Sequence, residues 1–240
     1  MKNCLALTAV LAATFAGGPL AAQHARAVSL DLGLGVEQGP RYSGADDGGT
    51  SPWIILRRGG GQGEGLTISP SFGLKGKRDE GDGPLLSGLE PIDAAGEIGA
   101  RIGYRTGPVA GYVTLRRGFG GHEGLTGAVG LRYHTELSDT ISLTSGVQAV
   151  YGNARYNQTY YGVTEAESEA GGLSAYQPGS GFNEAAITFE ARYALSDSTA
   201  ILGEVRYGKL IGDAADSPIV AETYQPSLRL GVVRRFSFGF

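Results

Sequence analysis

The feature that most constrains this chain is a stripe of period two running from Tyr224 to Phe240. Its alternate residues are Tyr224, Pro226, Leu228, Leu230, Val232, Arg234, Phe236, Phe238 and Phe240, apolar at eight of nine positions. Gln225, Ser227, Arg229, Gly231, Val233, Arg235, Ser237 and Gly239 stand between them. Successive side chains of a strand point to opposite faces, so this segment has one apolar face and one mostly polar or small face. It is longer than the usual strand of about five or six residues. A terminal Phe on a soluble domain would tend to fray. A long strand with one face toward lipid is the alternative, and the rest of the chain decides between the two.

The same alternation recurs along the chain. "VSLDLGLGVE" (28–37) puts Val28, Leu30, Leu32, Leu34 and Val36 on one face. "EIGARIGYR" (97–105) sets Ile98, Ala100, Ile102 and Tyr104 against Glu97, Arg101 and Arg105. Segments 125–134, 141–151, 185–195 and 199–208 repeat the scheme, and 50–58, 64–75 and 108–117 follow it less cleanly. The connectors alternate between short (59–63, 106–107, 137–139, 196–198) and long (38–49, 76–93, 153–183, 211–223), with one brief exception at 119–123. Tight turns at one end and long loops at the other are the pattern of an outer-membrane barrel. The expected fold is therefore all-β, an antiparallel up-and-down transmembrane β-barrel of ten strands. It becomes twelve if 155–163 or 217–222 adds a hairpin.

The last strand is expected to pair with the first, because an unpaired edge in lipid leaves backbone groups unsatisfied. Charges on the inward face, among them Arg101, Arg105, Arg132, Glu190, Arg192, Glu204, Arg206 and Arg229, are expected to fill a narrow lumen. Trp53, Tyr104, Tyr133, Tyr151, Tyr193, Tyr207 and Phe240 suit interfacial girdles. Arg234 interrupts the lipid stripe, so either a bulge re-aims it or its guanidinium snorkels. A soluble β-sandwich or lipocalin-like barrel would bury the stripe instead. Its surface would then be the small, Gly-rich faces, which carry less charge than a soluble surface usually does.

The N-terminus has a positive charge at Lys2, the apolar run "LALTAVLAATF" (5–15) and small residues after it. This reads as a secretory signal peptide over 1–27, with cleavage after Ala22 as the alternative, leaving one domain over 28–240. Cys4 is the one cysteine and would leave with that signal, so disulfide and thiol chemistry are not expected. Removing Lys2 and Arg26 leaves 18 basic against 24 acidic residues, which argues against nucleic acid as a partner.

Candidates for chemistry are sparse. After the signal, His122 and His134 remain, without the carboxylate or thiol spacing of a metal site. Asp213, Asp216 and Ser217 could meet His122 at the loop-side rim, although nothing in the spacing requires it. "GGGQGEG" lacks the Lys and Ser/Thr of a phosphate loop, and no cofactor is expected. The long loops carry thirteen acidic side chains against four basic ones, a balance that could attract cations. Loop 153–183 is too rich in tyrosine for plain disorder and is expected to fold over the mouth.

"YNQTYYGVTEAESEAGGLSAYQPGSGF" (156–182), "LIGDAADSPIV" (210–220), "GPRYSGADD" (39–47) and the Phe-ended last strand together resemble the MipA/OmpV family of outer-membrane proteins. The match runs in order along nearly the whole chain after the signal, and Asp213, Asp216, Ser217 and Pro218 lie in its signature loop. The resemblance implies a barrel without enzymatic activity in the outer membrane of a Gram-negative bacterium. It also implies a scaffold that brings a lytic transglycosylase and a peptidoglycan synthase together. A narrow channel or binding protein for small solutes or cationic compounds is the alternative. The partners then expected are outer-membrane lipid, those two enzymes, and the barrel-assembly machinery. That machinery would read the terminal aromatic pattern Phe236, Phe238 and Phe240 as its signal.

Overall fold

The structure, a computed structural model, describes residues 28–59 and 63–238. The expected signal segment and Phe240 lie outside the described residues. Ten antiparallel strands form one sheet: β1 (Val28–Pro40), β2 (Gly48–Gly59), β3 (Gly65–Lys75), β4 (Ala95–Thr106), β5 (Val109–Gly120), β6 (Leu125–Glu136), β7 (Ile141–Gly152), β8 (Gly181–Ala194), β9 (Thr199–Leu210) and β10 (Tyr224–Phe238). Two short helices, α1 (Ala154–Tyr161) and α2 (Glu165–Gly171), occupy the longest loop. The expected count of ten therefore stands. Segment 155–163, the candidate for an added strand, is largely helical, and 217–222 belongs to no strand.

The order across the sheet is β2-β1-β10-β9-β8-β7-β6-β5-β4-β3. The last strand does pair with the first, from Val28↔Phe238 to Gln38↔Leu228. The edges are β2 and β3, which share no ladder among the described residues. Each carries a proline, Pro52 and Pro70. Proline lacks the N–H that a ladder needs and is at home on an edge strand. The sheet curls strongly enough that Lys75 of β3 and Glu37 of β1 border one cavity. It also brings Arg57 of β2 within 2.6 Å of Glu190 of β8, across the lumen.

The outward face is apolar and unburied: Leu34, Ile68, Leu74, Val113, Leu131, Phe189, Leu230 and Phe238 are all exposed. A continuous belt of this kind marks a surface made for an apolar environment. The inward face carries the charges together with one apolar cluster, Ile55, Ala200, Leu202 and Val233. Trp53 packs against that cluster, so its expected place in the outer girdle is corrected. It sits on the inward stripe of β2 with Arg57 and Arg229 each 5.8 Å from its ring.

Phe236 and Phe238 lie on the outward face of β10, as expected. So does Arg234, in an unbroken register: it pairs with Leu32 of β1 and with Thr199, the first residue of β9. No bulge re-aims it. It stands at the turn-side rim with its guanidinium 6.0 Å from the Phe236 ring. There an outward Arg costs roughly 0–1 kcal/mol, well below its cost at the midplane. Among the described residues the one register shift, between Val150 and Tyr151, lies where β8 begins four residues earlier than its alternation suggests.

Candidate functional site

The long loops fold into a cap over one end of the barrel. Asn153 starts α1, its Oδ1 accepting from Tyr156 N at 3.0 Å and from Leu125 N at 2.9 Å. Thr164 and Glu167 form a reciprocal capping box on α2, and Gly172, in the left-handed region at φ 75°, ends it. Tyr42, Ala45, Leu86, Leu89, Val163 and Ile219 make an apolar core between four loops. Beside it Tyr156, Tyr161, Leu210 and Ala214 make a second one. Loop 153–183 thus packs against the other loops, in the manner its tyrosines suggest.

Loop 211–223 serves as the clamp of this cap. Ser217 is buried, and its hydroxyl donates to Tyr161 O at 2.6 Å. Asp213 accepts from Gly179 N at 2.6 Å, and Tyr176 Oη donates to Asp213 O at 2.8 Å. The residue after Pro218, Ile219, is fully buried and accepts the Tyr42 hydroxyl at 3.1 Å. Asp216 is exposed. Among the described residues no hydrogen bond or ion pair joins them to His122, and the Ser217 hydroxyl donates to a backbone carbonyl.

The partner of His122 is Glu97, which the sequence reading did not pair with it. Nε2 lies 3.3 Å from Glu97 Oε1, out of line for a hydrogen bond, and both side chains are buried. Nδ1 accepts from Gly124 N at 3.2 Å. Glu97 also receives Arg116 Nη1 and Thr126 Oγ1, each at 3.2 Å. The rings of Tyr156 and Tyr160 meet the imidazole edge-on at 5.1 and 5.5 Å. Gly118 makes the space, since a Cβ there would fall 2.1 Å from His122 Cε1. His134 lies elsewhere, on β6, 3.1 Å from Thr144 Oγ1.

Burial pushes the His122 imidazole below its ordinary value of 6.5, and Lys75 adds to this while Glu97 opposes it. Burial also pushes the Tyr160 phenol up to about 12. The unfolded chain then takes up a proton at His122 as pH falls through about 6.5, while the folded ring still resists. The cap's stability from this site is therefore present above 6.5 and lost on acidification. The expected loss is about 1.4 kcal/mol per pH unit at most. Thermal midpoints measured from pH 7.5 to 5.5 should fall in the parent and fall less in His122→Asn. Parallel curves would remove His122 from this role.

A cavity of about 250 Å³ lies beneath the cap. Its walls carry Arg41, Lys75, Lys77, Arg78 and Arg206 against Glu37 and Glu184. Of the acidic loop residues counted in the sequence, Asp47 pairs with the wall's own Arg41 and Asp79 with its Lys77, while Glu167 receives the Glu90 N–H. Among the described residues there is no group of acids, histidines and cysteines that could hold a metal ion.

The wall of the lumen below is lined by ion pairs, most of them between neighbouring strands. Arg229 bridges Glu204 at 2.7 Å and Glu37 at 2.9 Å, Arg206 meets Glu184 at 2.5 Å, and Asp31 holds Arg235 and Arg192. The sequence indicated a charged interior. The partner choices depend on how the sheet curls, which no local pattern encodes.

The family model described as MltA-interacting protein MipA matches residues 32–236. The MltA-interacting protein of Escherichia coli K12 is 26% identical over 96 residues, 40% of this chain and 38% of that protein. The putative outer membrane protein YiaT of the same strain is 24% identical over 104 residues, 43% of this chain and 42% of that protein. The chain thus aligns with about two-fifths of the length of these curated relatives. Among solved structures, an outer-membrane channel from Pseudomonas putida F1 has a TM-score of 0.49 at 10% identity, covering 91% of this chain and all of that one. Matched over most of its length, with an apolar outer belt and a charged lumen, the chain belongs to the MltA-interacting protein MipA family and is a protein of the outer membrane.

Proposed function

We propose that the protein is a non-enzymatic scaffold that joins a lytic transglycosylase and a peptidoglycan synthase at the periplasmic face of the outer membrane. The observation that carries this reading is the obstruction of the barrel. One end is covered by packed loops, and the ion pairs Arg57–Glu190 and Arg192–Asp31 join non-adjacent strands across the lumen. A barrel filled in this way favours a role for its rim over one for a pore. In outer-membrane barrels the short turns face the periplasm, where the two enzymes act. The name of the Escherichia coli relative, MltA-interacting protein, supports a lytic transglycosylase as one partner. A non-enzymatic role is supported by the Ser217 hydroxyl and His122 Nδ1, both engaged with backbone groups.

Detergent-solubilised protein is expected to retain a murein hydrolase and a murein synthase from periplasmic extract. Recovery of neither would remove the scaffold reading. The rival, a narrow channel, is tested in planar bilayers. Silence is the expected result, and steady single-channel steps would favour the channel.

A further inference from the structure

The arginines of the lumen fall into two groups. Arg57, Arg116, Arg192, Arg206, Arg229 and Arg235 each meet a carboxylate. Arg101, Arg105 and Arg132 meet none among the described residues, and they stand together. Arg105 of β4 and Arg132 of β6 are register partners of the same residue, Ala110 of β5. Two strand spacings of about 4.8 Å put their backbones roughly 10 Å apart, within joint reach of one small ligand. Arg101 lies one inward step away from Gly103, the partner of Tyr112.

Tyr112 organises two of the three. Its ring has the Arg101 guanidinium 3.7 Å from its centroid and that of Arg132 at 5.2 Å. Its hydroxyl donates to Gln148 Oε1 at 2.8 Å, which fixes the ring. Gly130 clears the space, since a Cβ there would fall 2.7 Å from Tyr112 Cζ. Gly146 does the same beneath Arg132, whose Cγ would be 3.4 Å from an added Cβ.

Holding guanidiniums near one another without a counter-charge is electrostatically unfavourable. The nearby carboxylates do not relieve it. Glu190 is held by Arg57, Asp31 is shared by Arg192 and Arg235, and Glu136 lies 3.9 Å from His134. Arg105 Nε is buried with no hydrogen-bond partner, whereas the Arg132 side chain is exposed to the lumen. The cluster lies in the turn-side half of the barrel, the end away from the cap.

We propose that Arg101, Arg105 and Arg132 around Tyr112 form a binding site for a small oxyanion, a molecule bearing carboxylate or phosphate groups, that enters from the turn side. Guanidinium forks match both groups bidentately, and the ligand supplies the charge that the barrel omits. The aromatic ring holds two of the forks in place before the ligand arrives. This inference is independent of the scaffold reading, because it concerns the lumen and not the rim.

The test is calorimetric titration of the full detergent-folded protein at low salt, with sodium phosphate in one arm and sodium citrate in the other. Saturable binding at a single site in at least one arm is expected, and the stronger arm identifies the preferred group. Arg105→Gln and Arg132→Gln should each weaken it at least tenfold. Arg155→Gln, on the cap and paired with Glu123, should leave it unchanged. Heat-dependent gel migration reports whether each variant keeps its barrel. Should a glutamine variant fail to fold, Arg132→Lys retains the charge but loses the fork, and it too should bind more weakly. No saturable binding in either arm overturns the site. Equal weakening by Arg155→Gln, or undiminished binding in Arg132→Lys together with Arg105→Gln, would mean an adventitious ion only.

Discussion

Asp31→Ala is expected to destabilise the barrel by about 3 kcal/mol. Asp31 is buried on β1, directly opposite Arg235 on β10. Its two oxygens accept from Arg235 Nε at 2.9 Å and Nη2 at 3.3 Å, and Arg192 of β8 reaches it at 3.6 Å. Removing the carboxylate leaves two guanidiniums facing each other where one anion held both. Breaking a buried pair costs about 3–5 kcal/mol. The lower end applies here, because about a third of the Arg235 side chain is exposed and water screens the loss. Asp31→Asn keeps the volume and one acceptor, so its cost should be smaller. Urea midpoints of the detergent-folded protein measure both. The double variant Asp31→Ala with Arg235→Ala should recover part of the loss. Strict additivity would show that the pair is not coupled.

The strands were legible because their physics is local. A period of two, repeated ten times and punctuated by alternating short and long connectors, leaves few other folds. Errors entered where one residue of register decides a face. Trp53 follows the run "GGTSP", which gives no apolar phase to set the alternation, and a slip of one residue moves a side chain to the other face. Its inward position became visible only from its pairing with Gly35 on β1.

The cap was legible in part. The tyrosines of loop 153–183 implied packing, but α1 and α2 are too short to show a clear period. The Asn153 cap and the Thr164–Glu167 box, which do mark helix starts, were not read as such. Glu97 and His122 lie on different sides of the β4–β5 hairpin. What unites them is the fold-back after Gly120 together with Gly118, whose missing side chain admits the ring. The sheet edges β2 and β3, which share no ladder among the described residues, have a sequence correlate in Pro52 and Pro70. Proline also occurs in β10, at Pro226, so proline alone does not distinguish an edge.

Tyr161→Ala should detach the cap while leaving the barrel folded. Tyr161 is buried between Leu210, Ala214 and Tyr156, its hydroxyl is 2.8 Å from Ser43 Oγ, and its carbonyl accepts the Ser217 hydroxyl. Truncating a buried aromatic costs about 3–5 kcal/mol, which corresponds to roughly two to three and a half decades in the population of the open cap at about 1.4 kcal/mol per decade. No strand ladder includes Tyr161, so the loss should appear as local opening and not as global unfolding. Protease cutting within 156–182 should then accelerate about a hundredfold or more, provided that opening and closing outpace cleavage. The urea midpoint of the barrel should stay near that of the parent. Tyr161→Phe removes only the contact with Ser43, about 1 kcal/mol, and should accelerate cutting severalfold. Unchanged cutting in Tyr161→Ala would place the hold of the cap elsewhere, in the Tyr42–Ile219 cluster. A lowered barrel midpoint would instead show that cap and barrel unfold as one unit, and the loops would then contribute to holding the curled sheet in its shape.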